Sequence, residues 1–325
     1  MAHPRTLAGI ATLALVAVTG CSSSSGATSH PSGTASPTQD ASTVWEPPAG
    51  GPELPAGMRL PFEDYSPSNW DHHKIEVAYY AVLSSCLNRY VDDTGLVKPS
   101  FHGPASILTL RYGVHDDGWA GQHGYWWPGD DIAGPKGSGS QITMDPVLMS
   151  GTAPTYKGKP VPPGGCAQEA NDNIFGIPGI SQKDKARIVM DTQAISSGLL
   201  RKTNDDPKTQ AAQRAWTTCM AGKGYRFPDS RTKGNLNFAA SDSLSEALGK
   251  TRPDPGPGSA EAKLATADAQ CTTSSGVVTV SYETESRLER ETIAKDPAKW
   301  ADIKQWYQQR MAAVQKTLDE RRLTP

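Results

Sequence analysis

After its first 20 residues the chain has no apolar run near the ~20 residues that a membrane span requires. It has no excess of one charge either. Its 32 Lys and Arg face 34 Asp and Glu, a net charge of −2, so the clustered basic surface that nucleic acid demands is missing. None of its cysteines stands in a C-x-x-C pair, which removes the usual zinc arrangements. No G-x-S-x-G, G-x-G-x-x-G or G-x-x-x-x-G-K-[ST] string occurs. Neither a nucleophile elbow nor a phosphate cradle is encoded, and no cofactor is implied. Few stretches alternate apolar and polar residues with period two, which argues against the strand-and-helix lobes of a solute-binding fold.

What is present begins with an apolar run from Leu7 to Val18, behind a short start whose one charge is Arg5. A basic start, a short apolar stretch and small residues at the end read as an export signal. Val18-Thr19-Gly20-Cys21 resembles a bacterial lipobox. That resemblance implies cleavage after residue 20 and a lipid on Cys21, which places the mature chain on the outer face of the cell membrane. Residues 21–68 follow as a tether. Between 22 and 68 there are eight prolines and five glycines, and such a segment cannot bury enough surface to offset its ordering entropy. Residues 69–325 are the expected extracytoplasmic domain, with possible halves at 69–202 and 203–325.

With Cys21 lipidated, four cysteines remain: Cys86, Cys166, Cys219 and Cys271. An even number in an oxidising compartment suggests disulfides, for which three pairings exist. Cys86–Cys166 with Cys219–Cys271 gives each half its own staple.

The body reads as mainly α. Ser68 with Asp71 marks a helix start. Ile75, Tyr79, Val82, Cys86 and Tyr90 then form one stripe over residues 69–93. Residues 107–113 fit either a strand or a helix end. Asp116 caps a short helix that stops at Gly124, and 129–165 is a long Gly/Pro-rich loop. Helices follow from Ser181 to about Leu200, from Pro207 to Gly222 or Gly224, and over Ser241–Leu248. Three more start at Ser259, after Gly276 and at Asp296-Pro297. The one after Gly276 shows an apolar face of Val277, Val280, Thr284, Leu288 and Glu291. The last repeats Trp300, Ile303, Trp306 or Tyr307, Met311, Val314 and Leu318, a spacing that suits core packing.

Several strings resemble a family of uncharacterised actinobacterial secreted lipoproteins. They are Arg111-Tyr112-Gly113-Val114-x-Asp116 running on to His123-Gly124-Tyr125, then Gly164-Gly165-Cys166-Ala167-Gln168-Glu169-Ala170, then Trp216-x-x-Cys219-Met220-x-x-x-Gly224-Tyr225, then Ala267-Asp268-Ala269-Gln270-Cys271. The resemblance implies a secreted, disulfide-bonded helical domain and no particular activity.

The strongest binding candidate is Tyr125-Trp126-Trp127-Pro128-Gly129-Asp130-Asp131, with Tyr112 nearby in sequence. Flat rings beside carboxylates suit sugars, whose C–H faces lie on indole while their hydroxyls bond to acids. His115, Asp117 and His123 form a weaker metal alternative, because the i, i+4 histidine pair of a helical zinc site is missing. His72-His73 point ~100° apart on a helix and cannot chelate together. The leading expectation is a non-enzymatic cell-surface lipoprotein that binds a cell-wall glycan or envelope protein through the aromatic loop. The alternative is an envelope-modifying hydrolase of glycan or peptidoglycan that uses loop carboxylates, for which two acids must flank the scissile bond.

Overall fold

In the computed structural model, which describes residues 51–52, 57–92, 94, 96, 99–101, 103–125, 145–175, 182–227 and 256–323, helices begin where polar side chains cap them. Ser68 Oγ accepts from the Asp71 N–H at 3.0 Å while Asp71 Oδ2 accepts from the Ser68 N–H at 3.2 Å. This reciprocal pair opens α1 (Asn69–Leu87). Asp116 accepts from the Trp119 N–H to open α2 (Asp117–His123). Asp145 does the same for α3 (Pro146–Ser150), which has proline at its first position. Next come α4 (Gly165–Phe175) and α5 (Gln182–Asp205). Asp206, Ser259 and Asp296 cap α6 (Pro207–Gly222), α7 (Ala260–Ser275) and α9 (Pro297–Glu320). Gly276, at φ 70°, breaks α7 from α8 (Val277–Lys295). The strands among the described residues are β1 (Thr155–Tyr156) and β2 (Lys159–Pro160), an antiparallel pair with Thr155 opposite Pro160.

The fold is mainly helical. Helix α1 packs on α4 and α9 through Trp70, Ile75, Ala78, Ile174, Val314 and Leu318. Helices α5 and α6 lie on α8, and α2 and α6 lie on α7. Ala120, Ala265 and Ala269 form the α2–α7 contact, where small side chains permit a close approach. Helices from both sides of residue 202 therefore share single cores. No helix among the described residues is long and apolar enough to cross a membrane.

Both cysteine pairs come to disulfide distance in the favoured pairing. Cys86 and Cys166 have Cα atoms 5.5 Å apart, and Cys219 and Cys271 5.6 Å. The first pair sits among Val82, Leu83, Leu148 and Ala170, the second among Met220, Leu264 and Ala267. The Gly164-Gly165 string has a steric cause. Both residues have positive φ, and a Cβ on Gly165 would collide with the Met149 carbonyl. The glycines let the start of α4 press against the end of α3.

Several expectations are corrected. The compositional tether extends too far at its folded end. Pro61–Asp64 is a 3-10 turn, and Leu60 and Phe62 are buried, Phe62 against Trp300 at 4.5 Å between ring centroids. Helix α1 stops at Leu87, not 93, because Tyr90 leaves the stripe to donate its hydroxyl to the Pro160 carbonyl in the hairpin. Residues 107–113 are neither strand nor helix. They form successive turns closed by Arg111 N to Leu108 O and Gly113 N to Leu110 O. The expected loop at 129–165 contains α3, β1 and β2 in its later part. The helix expected to end near Leu200 continues to Asp205. The helix expected at Ser241–Leu248 lies outside the described residues.

Candidate functional site

The turns at 107–113 aim Arg111 and Tyr112 at α8. Arg111 Nε donates to Glu285 Oε2 at 2.9 Å while its second nitrogen pairs with Oε1. The Tyr112 hydroxyl donates to Glu285 Oε2 at 2.7 Å. Tyr112 is only 3 % exposed, so it serves the core and leaves the set of ligand-binding candidates. Burial, then the Glu285 charge, holds its hydroxyl far above the ordinary phenol range. One turn further along α8, Glu289 Oε2 accepts the Phe62 N–H at 2.9 Å. Burial pushes Glu289 up to about 8, and the Glu285 charge adds to the rise. The expected apolar face of α8 is thus wrong in part. Glu291 is exposed, and Ser281, Glu285, Ser286 and Glu289 occupy the inner side.

Tyr125 is the last described residue before the aromatic loop. Its hydroxyl donates to Asp268 Oδ2 at 3.0 Å and its N–H to Glu261 Oε1 at 3.2 Å. Asp268 also accepts from Trp216 Nε1 at 2.8 Å and from the Thr272 hydroxyl at 3.2 Å. Burial lifts Asp268 to about 6 against the pull of these three donors. Gly124 makes the approach possible. At φ 60°, a Cβ there would lie 2.8 Å from Glu261 Oε1. Trp126, Trp127, Asp130 and Asp131, like Cys21, lie outside the described residues.

An open groove of about 340 Å³ lies between α2, α7 and the end of α6. Gly121, Lys223, Tyr225, Lys263, Thr266 and Gln270 line it. Tyr225 packs in the same cluster as Tyr125, around Met220 and Leu264. Lys223 Nζ donates to Gln270 Oε1 at 2.8 Å, and Gln270 Nε2 donates to Asp117 Oδ2 at 3.1 Å. Among the described residues the groove wall therefore offers ammonium, amide and hydroxyl groups and one phenol ring, and no carboxylate lines it there. Such a surface can hydrogen-bond hydroxyls and amides.

The metal alternative is dispersed. His115 Nδ1 lies 3.2 Å from the Gly113 carbonyl, Asp117 is taken by Gln270, and His123 packs on Trp119 at 5.1 Å. No three His, Cys, Asp or Glu side chains among the described residues gather as an ion would require. Glu169 pairs with Arg89 at 2.5 Å. The burial of the acids Glu261, Asp268, Glu285 and Glu289 was missed in sequence. A faint signal existed for Asp268, an acid flanked in sequence by Ala267 and Ala269.

Comparison of the chain with protein families, with curated proteins and with solved structures finds no match to any of them.

Proposed function

We propose that the chain is an exported lipoprotein whose helical body binds a cell-wall glycan without chemical change. Lipid on Cys21 holds it to the outer face of the cell membrane. The Val18-Thr19-Gly20-Cys21 string and the resemblance to secreted lipoproteins support export. Two cysteine pairs at disulfide distance suit an oxidising compartment.

One observation carries the binding reading. A groove whose described lining is rich in donors and includes no carboxylate is walled by Tyr225, which packs in one cluster with Tyr125, the residue before Trp126-Trp127. Sugar hydroxyls would meet Lys223, Lys263 and Gln270, and the loop tryptophans would cover the C–H face. The hydrolase alternative needs two acids facing a groove. The buried acids of the described body, Glu261, Asp268, Glu285 and Glu289, instead accept hydrogen bonds from the protein itself.

The test is retention on purified wall polysaccharide. The wild type is expected to bind. A folded Trp126→Ala/Trp127→Ala variant and a Lys263→Ala variant are each expected to lose roughly tenfold in retention. Unchanged retention in the folded double variant contradicts the reading.

A further inference from the structure

A second cavity, also of about 340 Å³, opens between the segment before α1, the middle of α5 and α9. His72, Gln193, Ser196 and Ser197 give it polar walls, and Trp306 and Arg310 line it from α9. The last two stand four residues apart, so they share one helix face.

Arg310 is 8 % exposed and Trp306 6 %. A buried cation is normally matched by a carboxylate, because its lost hydration must be replaced. Arg310 forms no ion pair among the described residues. Its Nε has no hydrogen-bond partner there, and neither has the indole Nε1 of Trp306. Asp71, next to His72, is already held by Lys74, by the Ser68 hydroxyl and by the Tyr307 hydroxyl at 2.6 Å. The guanidinium instead lies over the Phe175 ring at 4.4 Å and the Trp306 ring at 5.6 Å. Aromatic faces replace only part of what a carboxylate supplies. Burial lowers the Arg310 pKa to about 10, which leaves it charged at neutral pH. Its field is felt at the rim, where His72 is held below the ordinary imidazole range by desolvation first and by the Arg310 charge second.

Two buried donors without acceptors thus line a cavity large enough for a small organic molecule. We propose that this cavity binds a sugar-sized ligand through an oxyanion, a carboxylate or a phosphate monoester, held by the Arg310 guanidinium with the Trp306 indole beside it. Arg310 supplies the charge, the indole a second donor, and Ser196, Ser197 and Gln193 meet the ligand's hydroxyls. This site is separate from the loop groove and does not depend on the glycan reading.

Calorimetric titration of the full chain tests it, with inorganic phosphate, glucose 1-phosphate, glucuronate and uncharged glucose as probes. At least one anionic probe is expected to bind and glucose is not; the phosphate and glucuronate arms tell the two sources apart. Arg310→Met, which keeps the stem over Phe175, is expected to bind the anion at least ~10-fold more weakly. Trp306→Phe keeps a ring and removes one donor, so it is expected to weaken binding several-fold. Anion binding should also raise the His72 pKa, read by NMR, because it offsets the neighbouring cation. The proposal is overturned if no anion binds the folded wild type, if glucose binds as well as the anions, or if Arg310→Met binds as tightly as wild type. Should Arg310→Met fail to fold, Trp306→Phe decides, and undiminished anion binding there overturns the proposal equally.

Discussion

Arg111 and Glu285 stand 174 positions apart in the chain and meet through two hydrogen bonds, with Nε 2.9 Å from Oε2. The Arg111 side chain is 13 % exposed and that of Glu285 is fully buried. A charge pair this deep stabilises little over an apolar pair, yet losing one member leaves the other stranded. Arg111→Met is therefore expected to cost about 3–5 kcal/mol in urea unfolding. Arg111→Met/Glu285→Leu is expected to cost less than the sum of the two single changes, a coupling that a double-mutant cycle measures.

Glu289 gives stability a pH dependence of unusual sign. Its carboxyl is raised to about 8 in the folded chain, against an ordinary value near 4.5. The native state thus holds a proton that the unfolded chain has released. The contribution is fully present below pH 4.5 and is lost as pH rises through 8. The loss amounts to something on the order of 5 kcal/mol. Asp268, raised from 3.8 to about 6, acts in the same direction over a lower window. Denaturant midpoints from pH 4 to 9 check this. Glu289→Gln is expected to flatten the fall between pH 5 and 8 relative to wild type.

Gly165 is expected to be the least replaceable glycine of the described body. At φ 73° an alanine is strained, and its Cβ would also lie 2.6 Å from the Gly151 nitrogen and closer still to the Met149 carbonyl. Gly158 has a similar φ of 78° but open space around the added carbon. Gly158→Ala should cost ~1 kcal/mol for conformation alone. Gly165→Ala should cost at least ~3 kcal/mol, and the difference between their thermal midpoints reports the collision.

Such positions mark where sequence was and was not legible. Helix starts were readable because they are local. Ser68 with Asp71, Asp206-Pro207, Ser259 and Asp296-Pro297 each act on backbone groups two or three residues away. The cysteine pairing followed from one simple division of the chain. The inner face of α8 was not readable, because Glu285 and Glu289 are buried only through partners at Arg111, Tyr112 and Phe62 far upstream. Tyr112 read as a ligand-binding candidate for the same reason. Arg310 was hidden within an otherwise regular apolar stripe. No local pattern distinguishes a solvated arginine from one folded under Phe175.

The two disulfides are expected to contribute independently. They close segments with sequence separations of 80 and 52 residues, so chain entropy assigns each ~4 kcal/mol. Cys86→Ala/Cys166→Ala loosens the α1–α3–α4 cluster, and Cys219→Ala/Cys271→Ala loosens α6–α7. Guanidinium titration of the two paired variants should show comparable losses. Amide exchange should show protection lost around a different staple in each.

The clasp on Asp268 links stability to the proposed glycan contact. Tyr125 and Trp216 both donate to this carboxylate, but only Tyr125 is continuous with the loop. Removing either donor takes away one charge-assisted bond, worth ~1–3 kcal/mol. It also leaves burial less opposed, so the Asp268 pKa should climb above 6 in both variants. On stability alone Tyr125→Phe and Trp216→Phe should look alike. They should part in function. Tyr125→Phe removes the hydroxyl and leaves only the backbone bond to Glu261 at the root of Trp126-Trp127, so retention on wall polysaccharide falls, whereas Trp216→Phe keeps both bonds there and retention near wild type. Equal retention in the two variants would show that the loop does not rely on this anchor.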